Sequence, residues 1–338
     1  MSRSVLVLGA NGSLGQMCAT EFAKAGWEVH RAVRRGATGK RDRHVDFDRR
    51  ETIEEGIGGV DLILNTVFDP ALRAEDVVLD RGGLLLNIAA GPLADTQALR
   101  ARKREPHQGS VVMHGGLTPG LTSLVARDVF EAHPEADMLE MVWTLTGQGY
   151  SGAGGRSWAH SYLAARPHSP VFTVPLPEPY GVRKAMQVGE DDRGWLVDLP
   201  ARTEFRTGVC FYERDTDVAF RLLNSLRLRA LVPRRMLVNL PKRMSRGAPR
   251  GRGTAPHGAC VYWIAALKDG RRITARSIQG EDDYLVTVLG TIALAETLVD
   301  LEGGCPTGVQ SVEGVMSLSD VAERLSALGV SVNTHAVS

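Results

Sequence analysis

Short apolar runs alternate with amphipathic segments along the first part of the chain. The runs predict buried strands at residues 4–10, 27–33, 44–48, 60–67, 84–90 and 110–116. The segments between them predict helices at 14–25, 71–81 and 94–105. Strands and helices that alternate at this pitch predict a parallel sheet covered by helices.

The pattern changes after residue 135. Residues 137–147 predict a longer strand, and the many glycines and prolines between 147 and 181 predict loops around a substrate region. The remaining pattern predicts a strand at 202–212, an amphipathic helix at 216–231, a hairpin at 260–280 that turns at Asp269-Gly270, and helices at 284–299 and 319–329.

Composition limits the classes of function. A chain of 338 residues, 43% of them hydrophobic, suits two domains. The net charge of +1 gives no sign of nucleic-acid binding, and the four cysteines are too dispersed for a zinc site or a disulfide framework. We expect a cytoplasmic protein, because the amino terminus lacks a signal-peptide pattern and no apolar run is long enough to span a membrane.

The stretch "GANGSLG", residues 9–15, lies where the first predicted strand ends and the first helix begins. Glycines there let the backbone turn tightly and approach a pyrophosphate, which the N–H groups of a helix amino terminus bind. Because the second strand follows on schedule, we interpret the stretch as a dinucleotide-binding loop rather than an ordinary tight turn. The predicted cofactor-binding residues are Gly9, Asn11, Gly12, Ser13, Leu14 and Gly15.

The end of the second strand indicates which dinucleotide binds. An NAD-binding unit usually carries Asp or Glu there, to bond the ribose 2′-hydroxyl. This chain carries Arg34 and Arg35, and guanidinium groups suit a 2′-phosphate. We therefore expect NADP(H). The alternative is that the two arginines only begin a solvated basic turn.

Other strand ends supply further cofactor candidates, because ligands of such sheets bind beyond the carboxyl ends of the strands. Asp46 and Phe47 are predicted to lie near the adenine. Thr66, Ala89 and Ala90 end the fourth and fifth strands and are predicted to line the cofactor. The alternative is that all five are routine strand ends.

The stretch "HGGLTPGLTSLVARDV", residues 114–129, resembles the saccharopine dehydrogenase-like NADP-binding proteins. In that family the sixth strand runs into a Gly-x-x-Pro-Gly-Leu turn that opens a long helix, and Gly116, Pro119 and Gly120 match it here. We predict that Gly116 and Pro119 line the cofactor. Residues 279–299 and 308–330 are also similar to the tail of that family.

The resemblance implies an organisation for the whole chain, an α/β protein of two domains. Residues 1–122, completed by about 290–338, would form a Rossmann-type dinucleotide-binding domain with a parallel sheet. Residues 123–289 would form an α+β substrate and dimerisation domain with a mostly antiparallel sheet. The resemblance therefore also implies a homodimer.

The family includes amine-forming reductases and enoyl reductases that act on lipid-like substrates. We therefore expect an NADPH-dependent reductase of a C=N bond in an amino-acid-like substrate, or of a C=O bond. One alternative is a trans-acting enoyl reductase of a C=C bond on a carrier- or lipid-linked substrate. An alternative from another class is a non-catalytic NADP(H)-binding sensor or scaffold.

The catalytic and substrate-binding groups are less defined. His114 ends the sixth predicted strand and could donate a proton with a pKa near neutrality; the alternative is a packed or capping histidine. Tyr150, His160 and Tyr284 are further candidates for the donor, and Arg156 and Arg183 for binding a substrate carboxylate. No metal site is predicted.

Residues 227–252 hold nine Arg or Lys residues and no acidic residue. Nucleic-acid binding would favour aromatic stacking partners, which this run lacks. The alternatives are a solvated loop, a cover over an anionic substrate, or contact with an acidic carrier protein or a membrane surface. We expect a small-molecule or carrier-bound organic substrate as the partner.

Overall fold

A computed structural model of the chain describes residues 3–37, 39–89, 93–102, 106–145, 169–188, 203–225 and 260–337. These residues form two compact units. The first comprises the described residues up to Leu124 together with Thr287–Leu328. The second comprises those between Val125 and Val286 together with the residues from Gly329 onward.

The first unit contains a parallel sheet. Its strands are β1 (Ser4–Leu8), β2 (Glu28–Val33), β3 (Asp42–His44), β4 (Leu62–Asn65), β5 (Gly83–Asn87), β6 (Gly109–Met113) and β13 (Gly308–Ser311). They lie in the order β13-β6-β5-β4-β1-β2-β3, and every neighbouring pair is parallel. This order confirms the predicted Rossmann-type sheet, whose ligands bind beside β1, beyond the carboxyl ends of the strands.

Helices lie between these strands along the chain, and the helix Arg214–Ser225 instead lies between two strands of the second unit. In chain order the helices are α1 (Ser13–Lys24), α2 (Arg50–Gly56), α3 (Arg73–Arg81), α4 (Leu93–Arg102), α5 (Leu121–Ala132), α6 (Arg214–Ser225), α7 (Asp283–Val299), α8 (Val312–Val315) and α9 (Leu318–Ala327). Val5 to Leu8 of β1 are fully buried, as are Cys18 and Phe22 of α1. A continuous apolar strand is what a parallel sheet covered on both faces requires. No helix in the described ranges is both long enough and apolar enough to cross a membrane.

The second unit contains a mixed sheet. Its strands are β7 (Met138–Leu145), β8 (Val171–Pro175), β9 (Val182–Gln187), β10 (Glu204–Phe211), β11 (Cys260–Lys268), β12 (Arg271–Gly280) and β14 (Ser331–His335), in the order β14-β12-β11-β7-β10-β9-β8. The β7–β10 pair is parallel and the other pairs are antiparallel. The predicted mostly antiparallel sheet is therefore confirmed, as is the hairpin at Asp269-Gly270.

The second sheet curls around its own core. Arg272 on β12 donates to the Thr173 carbonyl oxygen on β8 at 2.6 Å, although four strands separate β12 from β8 in the sheet. The same guanidinium binds the fully buried Glu140 on β7, at 2.7 and 3.0 Å. A buried carboxylate requires such pairing. These contacts close one end of the sheet over a core that includes Trp263 and Tyr180.

The structure departs from the predictions mainly at sheet edges. Strand β3 occupies Asp42–His44 instead of 44–48, and strands β9, β13 and β14 were not predicted. The expectation of loops up to residue 181 was wrong at Val171–Pro175, which forms the edge strand β8. Because β14 pairs with β12, the last residues belong to the second unit, not to the nucleotide-binding unit as expected. Helix α6 is described as far as Ser225, and residues 226–231 of the predicted helix lie outside the described residues.

Candidate dinucleotide-binding site

Each glycine of the loop between β1 and α1 has a different role. Gly9 has a φ of +78°, and a Cβ there would lie 2.5 Å from Val67 Cγ2. A Cβ at Gly15 would overlap the Gly9 carbonyl group. Gly12, the N-cap of α1, is exposed, and a Cβ there would meet only the Gly9 oxygen, at 3.3 Å. The fold therefore requires Gly9 and Gly15, whereas Gly12 leaves its outer side open to a ligand.

The amino terminus of α1 presents unused backbone donors. The N–H groups of Ser13, Leu14 and Gly15 have no acceptor within the described part of the chain. The flanking Gly12 and Gln16 N–H groups are already bonded, each at 2.8 Å. The first turn of α1 contains no acidic residue. Three donors without acceptors at a positive helix end are an arrangement that suits an anion such as a pyrophosphate.

Arginines surround the end of β2. Arg34 and Arg35 are exposed, and neither has an ion-pair or hydrogen-bond partner in the described chain. Arg31, which the sequence analysis missed, donates from Nη2 to Asn11 Oδ1 at 2.7 Å and so lies beside the glycine loop. The sequence feature that could have indicated Arg31 is its charge within the predicted strand at 27–33, which pairs with β1. The region is therefore rich in positive charge where a 2′-phosphate would bind.

The turns after β4 and β5 also lie at this edge of the sheet. The Thr66 hydroxyl donates to the Leu8 carbonyl oxygen at 2.7 Å, which holds the turn against the glycine loop. Phe68, two residues further on, is 56% exposed. Ala89 is half-buried, and its N–H donates to Asn87 Oδ1 at 2.8 Å. Thr66 and Ala89 thus occupy the edge where ligands of this kind of sheet bind.

Asp46 and Phe47 follow β3 and contact other parts of the protein. The Asp46 N–H donates to Thr52 Oγ1 at 2.9 Å, and the Asp46 carboxylate accepts the Asp48 N–H at 3.2 Å. Phe47 is partly buried against the core of the first unit. Packing already accounts for Phe47, and contact of either residue with an adenine stays a prediction.

Contacts within the protein shape the turn after β6. A Cβ at Gly115 would overlap Leu86, and one at Gly120, where φ is +133°, would overlap the Gly116 and His114 carbonyl oxygens. At Gly116 the nearest atoms would be 3.6 Å away. Gly115 and Gly120 therefore serve the turn itself, whereas a Cβ at Gly116 would make only ordinary van der Waals contacts. Pro119 beside them is buried.

His114 lies inside this packed turn. It adopts a φ of +62°, is 1% exposed, and its Nε2 lies 2.8 Å from Thr96 Oγ1 on α4. Burial and the nearby Arg100 charge lower the pKa of His114 to about 4. The expected pKa near neutrality was therefore wrong, and the ring is uncharged at pH 7. The geometry favours the alternative of a packed histidine.

A carboxyl group that the sequence analysis missed titrates near neutrality. Asp283 is the first residue of α7 and is half-buried, and desolvation together with the Asp282 charge raises its pKa to about 7. Its Oδ1 accepts the Tyr284 N–H at 3.0 Å. Tyr284, a predicted proton donor, is half-buried. Two adjacent acids before a long apolar helix were the available signal for such a raised pKa.

Of the predicted site residues not yet placed, Arg183 lies in the described part of the chain and the others do not. Arg183 lies on β9, where its Nε donates to the Tyr180 carbonyl oxygen at 3.0 Å and its guanidinium carbon lies 5.3 Å from the centre of the Tyr180 ring. Outside the described residues lie Ala90, Tyr150, Arg156, His160 and the basic segment 227–252.

No protein-family model matches the chain, and no curated protein matches it. Among solved structures, the apo saccharopine dehydrogenase (L-Glu forming) from Saccharomyces cerevisiae is similar over 99% of this chain and 100% of its own, with 12% identity and a TM-score of 0.57. A DAP dehydrogenase from C. glutamicum covers 96% of this chain and 98% of its own, with 12% identity and a TM-score of 0.44. An amine dehydrogenase from Mycobacterium smegmatis is similar over 94% of this chain and 96% of its own, with 9% identity and a TM-score of 0.45. The first of these likenesses confirms the predicted resemblance at the level of the fold: the chain has the fold of saccharopine dehydrogenase.

Proposed function

We propose that this protein is an NADPH-dependent reductase. The observation that carries the proposal is the amino terminus of α1, where three backbone N–H groups lack acceptors among the described residues, beside the exposed Gly12. This arrangement suits the pyrophosphate of a dinucleotide. The fold shared with a dehydrogenase supports the same assignment, although a fold by itself does not determine chemistry.

Charge at the end of β2 supports NADPH over NADH. Arg34 and Arg35 have unpaired guanidinium groups that a 2′-phosphate could bind in bidentate fashion. Arg31 adds a third positive charge close to the loop through its contact with Asn11. Because positions 34 and 35 carry arginines, neither provides the carboxylate that would accept a hydrogen bond from the ribose 2′-hydroxyl of NADH.

The bound cofactor would supply the hydride, and the chain would supply binding, orientation and a proton. In this proposal the N–H groups of Ser13, Leu14 and Gly15 hold the pyrophosphate. The turns that contain Thr66 and Ala89 border the nucleotide, and Gly116 and Pro119 line it.

We favour a C=N bond of an amino-acid-like substrate as the hydride acceptor. The saccharopine dehydrogenase that shares this fold forms L-glutamate, as its name states. When hydride adds to an imine carbon, the nitrogen takes a proton and an amine forms. Tyr284 and the neighbouring Asp283 are the described candidates for the general acid, and a pKa of about 7 gives Asp283 comparable amounts of acid and carboxylate at neutral pH. Arg183 is the described candidate for binding a carboxylate.

Oxidation of NADPH in the presence of a substrate panel tests the proposal. The panel holds 2-oxo acids mixed with amines, simple ketones, and enones. We expect turnover with a 2-oxo acid and an amine together, and none with the Gly12→Val variant. Turnover with enones alone would move the assignment to C=C reduction, and cofactor binding without turnover would favour the sensor. A wild-type protein that binds neither NADPH nor NADH would overturn the proposal.

The proposal includes a homodimer, a cytoplasmic location and a small-molecule or carrier-bound substrate. Sedimentation equilibrium of the full chain tests the dimer. A single species at 36.6 kDa would contradict it, since that is the mass of one chain.

A further inference from the structure

Two buried asparagines end neighbouring strands of the first sheet. Asn65 is the last residue of β4 and Asn87 the last of β5, and the two are directly paired in the parallel register. Asn65 Oδ1 accepts the Val67 N–H at 2.9 Å, and Asn87 Oδ1 accepts the Ala89 N–H at 2.8 Å. Each asparagine therefore folds the backbone that leaves its strand into the same kind of turn.

A single oxygen atom binds both asparagines. Glu75 Oε1, on α3, accepts the Asn65 amide at 2.7 Å and the Asn87 amide at 2.5 Å. Glu75 is fully buried, as are both asparagines to within 1%. Burial raises the pKa of the Glu75 carboxyl, which favours its uncharged form. The other carboxyl oxygen, Oε2, is buried without a hydrogen-bond partner among the described residues, so the side chain reaches the two turns through Oε1.

The turn fixed by Asn65 reaches the glycine loop. A Cβ at Gly9 would lie 2.5 Å from Val67 Cγ2 and 2.9 Å from Thr66 Oγ1, so these two side chains rest directly against Gly9. Thr66 is also bonded to the Leu8 carbonyl oxygen, at 2.7 Å. A shift of the Asn65 side chain would therefore displace the residues that pack against the start of the phosphate-binding loop.

We propose that Glu75 is a positioning residue for cofactor binding, whose Oε1 fixes the turns after β4 and β5 relative to each other and to the glycine loop. The inference rests on the proposed function. Glu75 acts through Asn65 and Asn87 and does not itself contact the cofactor. A merely structural role, in which Glu75 only anchors α3, predicts a loss of folding stability and nothing else.

A matched set of variants separates the two roles. Glu75→Leu removes the acceptor, and Glu75→Gln keeps a neutral acceptor of nearly the same shape. Val78→Ala is the control, because Val78 lies on the same helix and is fully buried in the core of the first unit. We expect the control and Glu75→Leu to lower the midpoint of thermal unfolding, and Glu75→Gln to lower it less.

Hydrogen exchange in the protein without cofactor is the first readout. Glu75→Leu should speed exchange of the Val67 and Ala89 amides together, because both turns lose their anchored asparagines. Glu75→Gln should restore slow exchange at both, and Val78→Ala should leave both slow. Should Glu75→Leu not fold, Asn87→Ala provides the same test at one turn, with faster exchange expected at Ala89 and not at Val67. Unchanged exchange at these amides overturns the proposal.

The dissociation constant of NADPH is the second readout. We expect it to rise about tenfold or more in Glu75→Leu, as for the loss of one hydrogen bond to the site, and to stay within about threefold in the other two variants. Altered exchange with unaltered affinity would leave Glu75 a local anchor and overturn its role toward the cofactor. A wild-type protein that binds no dinucleotide overturns that role together with the proposed function, while the exchange experiment still reports whether Glu75 fixes the turns.

Discussion

Under the proposed function, Arg34 and Arg35 are the residues that decide between NADPH and NADH. Both are exposed and unpaired within the described chain, so neither has a structural role that would account for it. A phosphate oxygen would provide the partner that each lacks. Charge-assisted bonds of this kind contribute about 1.5–3 kcal/mol each.

We predict that the wild-type protein binds NADPH at least about tenfold more tightly than NADH, because NADH lacks the phosphate that would form such a bond. Arg34→Asp should abolish most of this difference, because a carboxylate repels the 2′-phosphate and accepts a bond from the 2′-hydroxyl. Titration of both cofactors by fluorescence measures it. Arg41→Asp is the control, since Arg41 is also exposed but already lies 3.3 Å from Glu28. Equal affinities in the wild type would remove the 2′-phosphate assignment.

A second residue-scale prediction concerns the proton donor. Asp283→Asn should lower kcat by about 10²–10⁴ and remove an ionisation near pH 7 from the pH–rate profile. His114→Asn should leave that ionisation in place, because His114 is already neutral there. If the ionisation instead disappears with His114 and persists without Asp283, the assignment is reversed.

The stability of the protein gives a readout of Asp283 that needs no substrate. Its folded pKa of about 7 lies above the ordinary value of 3.8, so the unfolded chain releases this proton first. The folded state should therefore lose stability as pH rises from about 4 to about 7, by up to about 1.4 kcal/mol per unit. Unfolding by urea at pH 5 and pH 8 measures the change. Asp283→Asn should reduce it, and an unchanged pH dependence would show that the folded pKa is ordinary.

His114 shows where sequence reasoning at this scale ends. Its position at the end of a strand was predictable from the apolar run before it. Its burial was not, because Thr96, its partner, belongs to a helix whose contact with the strand end depends on tertiary packing. The same limit hid Asp283, whose raised pKa comes from its burial. The functional chemistry of a titratable residue depends on desolvation, which a linear pattern does not contain.

At the scale of elements, the unit formed by β1, the glycine loop and α1 was predictable because all of its signals agree. An apolar strand precedes the glycines and an amphipathic helix follows them. The structure adds a division of labour: Gly9 and Gly15 are needed for packing, and Gly12 alone faces outward. The glycine spacing is therefore partly a requirement of the fold, since Gly9 and Gly15 are needed whether or not a ligand binds.

We predict that Gly12→Val abolishes NADPH binding and leaves the far-UV circular dichroism native. The valine side chain would occupy the place of the pyrophosphate, whereas its Cβ would meet only the Gly9 oxygen at 3.3 Å. Gly58→Val is a suitable control, because Gly58 is exposed with no atom within 4 Å of a Cβ. Retained NADPH binding in Gly12→Val would mean that the loop is only a turn.

Most of the strands that the pattern did not reveal lie at sheet edges. Strand β14, "SVNTH", is largely exposed, and β3, "DRH", has three residues without an apolar side chain. Hydrophobic periodicity marks strands that are buried on at least one face. Strands at sheet edges can be held mainly by backbone hydrogen bonds, which any sequence can form, so their existence follows from the neighbouring strand and not from their own residues.

At the scale of the whole molecule, the chain passes from the first unit to the second and then contributes again to the first. Residues 287–328 rejoin the first unit and contribute β13 beside β6, whereas β14 pairs with β12 in the second unit. The return was expected from the resemblance to a family and not from periodicity. Local patterns predict which segments are strands, but long-range pairing depends on which edges remain free after the rest of the chain has folded.

Charge is also a property of the whole molecule. Residues 227–252 carry nine positive charges in a protein whose net charge is +1, so the rest of the chain carries a net charge of −8. The basic segment and the rest of the chain therefore have net charges of opposite sign. Such a segment can attract anions that the rest of the protein repels, and this attraction acts mainly on the rate of association.

We predict that neutralising Arg234, Arg235, Lys242 and Arg243 raises KM for an anionic or carrier-linked substrate several-fold at low salt and leaves kcat nearly unchanged. The difference should shrink as salt increases, because the Debye length is already about 10 Å at 0.1 M and exposed charges are screened beyond it. Steady-state kinetics at several salt concentrations measure the effect. Arg41→Ala is the control, because it neutralises an exposed arginine near β3, outside the basic segment. A KM that is unchanged at low salt would mean that the basic segment is solvated and has no part in substrate capture.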